Sequence, residues 1–129
     1  SLSTVLLPEC VFIFPEVAVA GISEDQAAEK GMEYRTGKFL FAASGKAQAL
    51  GETDGFVKVV VDGDDRLIGI HIIGPHASDL MHEGLLGINT KLSIEDIAAT
   101  IHAHPTLSEA FSEAVLDAGN MAIHKLGKK

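Results

Sequence analysis

From His102 to Glu109 the chain reads His102-Ala103-His104-Pro105-Thr106-Leu107-Ser108-Glu109. Two imidazoles, a proline, two hydroxyls and a carboxylate are packed into one short stretch, a set suited to acid/base chemistry. Proline locks its own φ and drives the preceding residue out of the helical region, so His104-Pro105 marks a turn. Thr106 then reads as the N-cap of a following helix, with Glu109 at N3, the spacing of a capping box. A carboxylate at N3 leans back over the helix start and reaches the ring of His104. There it would fix the tautomer and stabilise the charged ring, leaving the other nitrogen to take and return a proton. The same residues also fit a plain helix cap beside a structural histidine. A third option is a metal site on His102 and His104, which alternate along an extended segment, but no third ligand has clear spacing.

Several elements must position that turn. Val5-Leu6-Leu7 and Cys10-Val11-Phe12-Ile13-Phe14 read as strand pieces. Ser23-Glu24-Asp25-Gln26 is a capping box for a short helix through Ala27-Ala28-Glu29-Lys30, stopped at Gly31. Glu33 to Phe41 reads as a strand. The small residues from Ala42 to Leu50 contain Gly45-Lys46, but lack the earlier glycine and the following hydroxyl of a phosphate loop. Gly55 to Val61 and Leu67 to Ile73 are β-branched, nearly continuous strands joined as a hairpin by Asp62-Gly63-Asp64-Asp65. The aspartates there lack the ligand spacing of an EF-hand loop.

Gly74-Pro75 ends the second of these strands and opens a helix to about Thr90. Its apolar stripe is Ala77, Leu80, Met81, Gly84, Leu85 and Ile88. Gly84 and Gly87 each weaken a helix by about 1 kcal/mol relative to alanine, which points to close approach of a neighbouring backbone. Ser93 caps a third helix with Asp96 at N3 and Ile94, Ile97 and Ile101 along one side. The last helix follows the histidine turn, with a stripe of Leu107, Ala110, Phe111, Ala114, Val115, Ala118 and Met121 or Ala122. Lys125 to Lys129 reads as a frayed end. The order β-α-β-β-β-α-α-α, with tight hairpins, predicts an α+β fold in which helices pack on a mainly antiparallel sheet. No second domain boundary is visible in 1–129.

Composition narrows the function classes. The 129 residues are 47% hydrophobic and 22% charged, the balance of a globular chain with a core. A net charge of −8 with 10 basic residues opposes binding to nucleic acid or to an anionic membrane. No apolar run reaches transmembrane length and nothing reads as a signal peptide. One cysteine, Cys10, excludes an internal disulfide and a thiolate zinc site. No two glycines lie two apart, so there is no G-x-G-x-x-G loop.

The stretch 102–109 resembles the C-terminal active-site signature of the dihydrolipoamide dehydrogenases, a branch of the flavin-dependent pyridine nucleotide-disulfide oxidoreductases. Pro15-Glu16-Val17-Ala18-Val19-Ala20-Gly21 and Gly37-Lys38-Phe39 are similar to further elements of the same domain. The chain departs from the family at Ile13, where threonine is usual, and at Phe14, where a polar residue is common. The resemblance covers about Val11 to Ala122. It implies the FAD/NAD-linked reductase dimerisation domain, with His104 as acid/base catalyst and Glu109 as the residue that orients it. It implies a homodimer in which His104 faces the disulfide and flavin of the other subunit, and in which the His104 backbone touches that flavin. FAD and NAD would belong to upstream domains of the same protein, with none bound to this chain alone, and the start at Ser1 is read as a cut from a longer flavoprotein. The E2 component of 2-oxo acid dehydrogenase complexes would be a further partner. The compartment implied is the bacterial cytoplasm or the mitochondrial matrix. The His104-Pro105 bond is expected to be cis. Two other readings stay open: a stand-alone homodimerisation or protein-binding module, and the interface domain of a related disulfide reductase such as glutathione reductase.

Overall fold

The computed structural model describes residues 6–120. Five strands form one antiparallel sheet: β1 (Glu9–Val11), β2 (Glu16–Gly21), β3 (Tyr34–Leu40), β4 (Phe56–Asp62) and β5 (Leu67–Gly74), in the order β1-β2-β5-β4-β3. Five helices accompany them: α1 (Glu24–Glu29), α2 (Gly45–Leu50), α3 (Ala77–Asn89), α4 (Ile94–Ala98) and α5 (Glu109–Ala118). The expected α+β fold and antiparallel sheet are present. The element order gains a strand and a helix. Leu6 and Leu7 are not in a strand, and the second expected strand piece stops at Val11, short of a Phe14-Pro15 cis bond. Val5, Met121, Ala122 and the tail 125–129 lie outside the described residues.

The overlooked helix is α2. Ser44 accepts the Ala47 N–H at its start, and Gly51 closes it in the left-handed region at φ 70°. Gly45-Lys46 thus opens an ordinary capped helix.

Alternation along the strands sets the core face. Ala18 and Ala20, Phe39, Val57 and Val59, and Ile70 and Ile72 all point to one side and are buried. Val59, Val60 and Val61 are all buried beside a register shift between Val60 and Val61, with Val59 and Val61 in this core. Onto this face α3 packs across β2 and β5, while α5 packs across β3 and β4. Phe41, Met81, Phe111 and Val115 fill the space between sheet and helices. Gly84 does admit a close neighbour, but it is the Ile70 side chain rather than backbone, and Gly87 does the same for Leu67. Ile101 was expected on the buried side of α4. It lies past the helix end and is 96% exposed.

One joint ties the strand entrance to a helix start. His76, the N-cap of α3, sits at φ 53° and makes no side-chain cap. Glu16 of β2 takes that place, accepting the Ser78 N–H at 3.1 Å and the Ser78 hydroxyl at 2.8 Å. The Ser78 backbone bond, followed by its hydroxyl bond, holds the Glu16 carboxyl below its ordinary range. A depressed carboxylate stabilises the fold above its unfolded value and loses that contribution as pH falls through the folded one. Both Ser78 bonds go to one Glu16 oxygen, so Glu16→Gln keeps an acceptor but loses the charge, and is therefore expected to lower the melting temperature slightly near neutral pH. The gap from wild type should close on acidification. A gap that stays constant from pH 7 to pH 3 would assign the loss to packing.

Candidate active-site turn and its supports

α5 begins one residue after the Thr106-Leu107-Ser108 segment. Its first residue, Glu109, leans back over the turn as the spacing suggested. Glu109 Oε1 lies 2.8 Å from His104 Nδ1, and Glu109 Oε2 accepts the Thr106 N–H at 2.9 Å. One carboxylate therefore fixes both the ring and the backbone two residues beyond it.

The capping box is only half formed. Thr106 is not the N-cap; that position falls to Ser108, whose side chain makes no capping bond. The Thr106 hydroxyl is used elsewhere. It donates to the Ala103 carbonyl at 2.7 Å and meets the Ser108 hydroxyl at 3.0 Å. Closing the turn locally competes with capping, and here it prevails. The His104-Pro105 bond is cis, as expected.

The ring of His104 is 79% exposed. With Nδ1 on the carboxylate, Nε2 makes no hydrogen bond among the described residues and faces outward. Beneath it lies a small depression lined by Phe39, Ala43, Ser44, Glu109 and Glu113. Its floor is β3 and the turn after it. Gly37 brings β3 against the backbone of α5, and the buried Asp117 accepts the Lys38 N–H at 2.8 Å. The sheet, through α5, thus sets where Glu109 stands.

The two histidines part company. His102 turns inward, with Nε2 2.6 Å from Glu83 Oε1 and Nδ1 3.1 Å from the Thr100 carbonyl. Both of its nitrogens are engaged by oxygens of the protein, away from a site shared with His104. Among the described residues no three His, Cys, Asp or Glu side chains gather in a way that could hold a metal ion. His71 is satisfied within the sheet region by the Ile22 carbonyl at 3.1 Å, and His76 lies 3.5 Å from Asp79. Glu83 was not among the residues singled out from sequence. Nothing in linear spacing links it to His102, nineteen residues on.

Residues 7–115 match the family described as pyridine nucleotide-disulphide oxidoreductase, dimerisation domain. The chain belongs to that family. It is 46% identical to the dihydrolipoyl dehydrogenase of Bacillus subtilis over 124 residues, which cover 95% of this chain and 26% of that protein. It is 49% identical over 113 residues to the mitochondrial dihydrolipoyl dehydrogenase of Sus scrofa, covering 87% and 22%. The dimerisation domain thus spans about a quarter of the length of these relatives. Two solved structures share its fold. LpdA from Mycobacterium tuberculosis has a TM-score of 0.80 at 24% identity, over 84% of this chain and 24% of the other. The HOCl-induced flavoprotein disulfide reductase RclA from Escherichia coli has a TM-score of 0.81 at 23% identity, over 85% and 26%. No helix among the described residues is long and apolar enough to cross a membrane.

For a pyridine nucleotide-disulphide oxidoreductase, the dinucleotide-binding loop is missing from this stretch of sequence. The histidine turn is an exposed edge of the dimerisation domain. Ala103, His104 and Pro105 are all exposed, and residues 101–105 make no backbone-to-backbone hydrogen bond among the described residues.

Proposed function

We propose that this domain supplies His104 and Glu109 as the acid/base pair of a dihydrolipoamide dehydrogenase. In this reading it acts on the FAD and disulfide site of the partner subunit of a homodimer and has no dehydrogenase activity alone. The observation that carries the reading is the His104-Glu109 geometry: one ring nitrogen held by a carboxylate at 2.8 Å, the other turned outward on an exposed turn. The identity to dihydrolipoyl dehydrogenases from a bacterium and from mitochondria supports the substrate class, and either compartment as its setting. Exposed Phe12, Phe14 and Ile101, at 75%, 85% and 96%, support burial of this domain in a larger assembly.

A free thiol is mostly protonated at neutral pH, and only its thiolate attacks a disulfide. His104 Nε2 takes the proton from a thiol of dihydrolipoamide, and Glu109 holds the imidazolium that results. The sulfur, now a thiolate, attacks a disulfide carried elsewhere in the dimer, forming a mixed disulfide and releasing the other sulfur of that disulfide as a thiolate. The second substrate sulfur, its proton lost, then displaces the enzyme sulfur, so that lipoamide leaves as a cyclic disulfide and the enzyme disulfide is reduced by two electrons. FAD and NAD, bound by upstream domains, supply the subsequent two-electron transfer. His104 then returns its proton to a thiolate as the site resets. The E2 component of a 2-oxo acid dehydrogenase complex would present the lipoamide.

The reading is tested at the coding sequence upstream of Ser1 and in the protein it encodes. It expects a G-x-G-x-x-G after a strand, a closely spaced cysteine pair, and NAD-dependent oxidation of dihydrolipoamide. A reading frame without the glycine loop and the cysteine pair would leave a dimerisation module that only keeps the signature. Within an active enzyme, Glu109→Gln should reduce turnover less than removal of His104 does. The amide keeps a single acceptor oxygen for two donors, so either the ring or the Thr106 N–H loses its partner. Equal losses from the two variants would make Glu109 more than an orienting group.

A further inference from the structure

His102 and Glu83 form a second histidine-carboxylate pair, built differently from the first. The His102 side chain is 9% exposed where that of His104 is 79%. Its Nε2 meets Glu83 of α3 at 2.6 Å and its Nδ1 meets the Thr100 carbonyl at 3.1 Å. Both ring nitrogens are thus engaged by oxygens of the protein, whereas His104 leaves Nε2 without a hydrogen bond among the described residues.

Its position gives it another task. Among the described residues, 101–105 make no backbone-to-backbone hydrogen bond, and Ile101 projects into solvent. The turn is anchored by side chains at two points. At one end Glu109 of α5 holds His104 and the Thr106 N–H. At the other, Glu83 of α3 holds His102. Remove the second anchor and the segment that carries His104 hinges on α5 alone.

The geometry points to Glu83 and His102 as positioning residues for His104, which act by pinning the far end of the turn to α3. This deepens the proposed role of His104 and rests on it. A charge-assisted bond with little solvent around it is strong enough for the purpose. Loss of one partner leaves the other charge half-buried and unmatched, so the effect reaches beyond one missing contact.

The test uses this 129-residue chain, labelled with 15N in its histidines, and reads the two ring nitrogens of His104 in long-range 1H–15N spectra. At a pH high enough for the ring to be neutral, a ring held at Nδ1 by Glu109 keeps one tautomer and shows two well-separated nitrogen shifts. In Glu83→Ala that separation should collapse toward the value seen in Glu109→Gln, while the amide shifts of the sheet stay in place. Glu83→Gln keeps an acceptor oxygen and should restore part of the separation. If Glu83→Ala folds and leaves the His104 nitrogens at their wild-type positions, the pair is a structural staple and the inference is overturned. Should Glu83→Ala fail to fold, Glu83→Gln decides: a partial collapse supports the inference, and unchanged His104 shifts overturn it. None of these readouts involves turnover. Loss of the base reading would show in the intact enzyme as full activity without His104, whatever the spectra report.

Discussion

His104→Gln in an intact enzyme carrying this domain is expected to lower dihydrolipoamide oxidation at pH 7 by about 10²–10⁴-fold, with flavin still bound. Glutamine keeps a side-chain amide within reach of the Glu109 carboxylate, which lies 2.8 Å from Nδ1 in the wild type. What it cannot do is accept a proton. A thiol with a pKa near 8.5 is only about 3% thiolate at pH 7, so the variant depends on that small population. Because the proton moves only as the reaction proceeds, kcat and kcat/KM should fall together. The deficit should also shrink with pH. Above about pH 9 the substrate supplies its own thiolate and the base has less to do. The check is kcat/KM for dihydrolipoamide from pH 7 to pH 10 in both proteins. A variant with near-wild-type turnover at pH 7, or a deficit that does not shrink at high pH, removes His104 from the role of base.

Features that depend on neighbours in the chain were legible in the sequence, and those that depend on neighbours in space were not. The capping boxes at Ser23 and Ser93 are present as read, because each is closed within four residues. β4 and β5 were plain from their β-branched runs and a polar hairpin tip. The contact between His104 and Glu109 was legible for the same reason, since the two lie five residues apart across one tight turn. Thr106 was misread because its hydroxyl had two local partners to choose from, the cap and the Ala103 carbonyl, and spacing cannot rank them. α2, framed by Ser44 and Gly51, is only six residues long and buries only Ala47, so it carries no apolar stripe for periodicity to show. Ile101 fits a helical stripe by period, yet α4 ends at Ala98, before it. Glu83 carried no signal at all. Its link to His102 arises only when the chain returns from α4 past α3.

Gly37→Ala is expected to be strongly disruptive, because of what sets the height of α5 over the sheet. A Cβ at Gly37 would overlap the Ala114 carbonyl oxygen and crowd the Ala118 nitrogen. Both are backbone atoms of a hydrogen-bonded helix, so no rotamer change relieves the contact. α5 must lift, and lifting it pulls Asp117 from the Lys38 N–H and opens the buried contacts of Phe111 and Val115. Overpacking costs about 1–3 kcal/mol where side chains can yield, and a backbone clash belongs at or above the top of that range. Gly45→Ala is the matched control. It adds the same methyl group in α2, where nothing lies within 4 Å, and should be neutral or stabilising by up to about 1 kcal/mol. Urea denaturation of the two variants separates these cases. The same displacement carries Glu109 away from His104, so Gly37→Ala should also narrow the separation of the His104 nitrogen shifts under conditions where the variant stays folded. A Gly37→Ala midpoint equal to that of Gly45→Ala would mean that α5 yields at little cost. The sheet would then not be what fixes Glu109, and the placement of the carboxylate would fall to the turn and to α3.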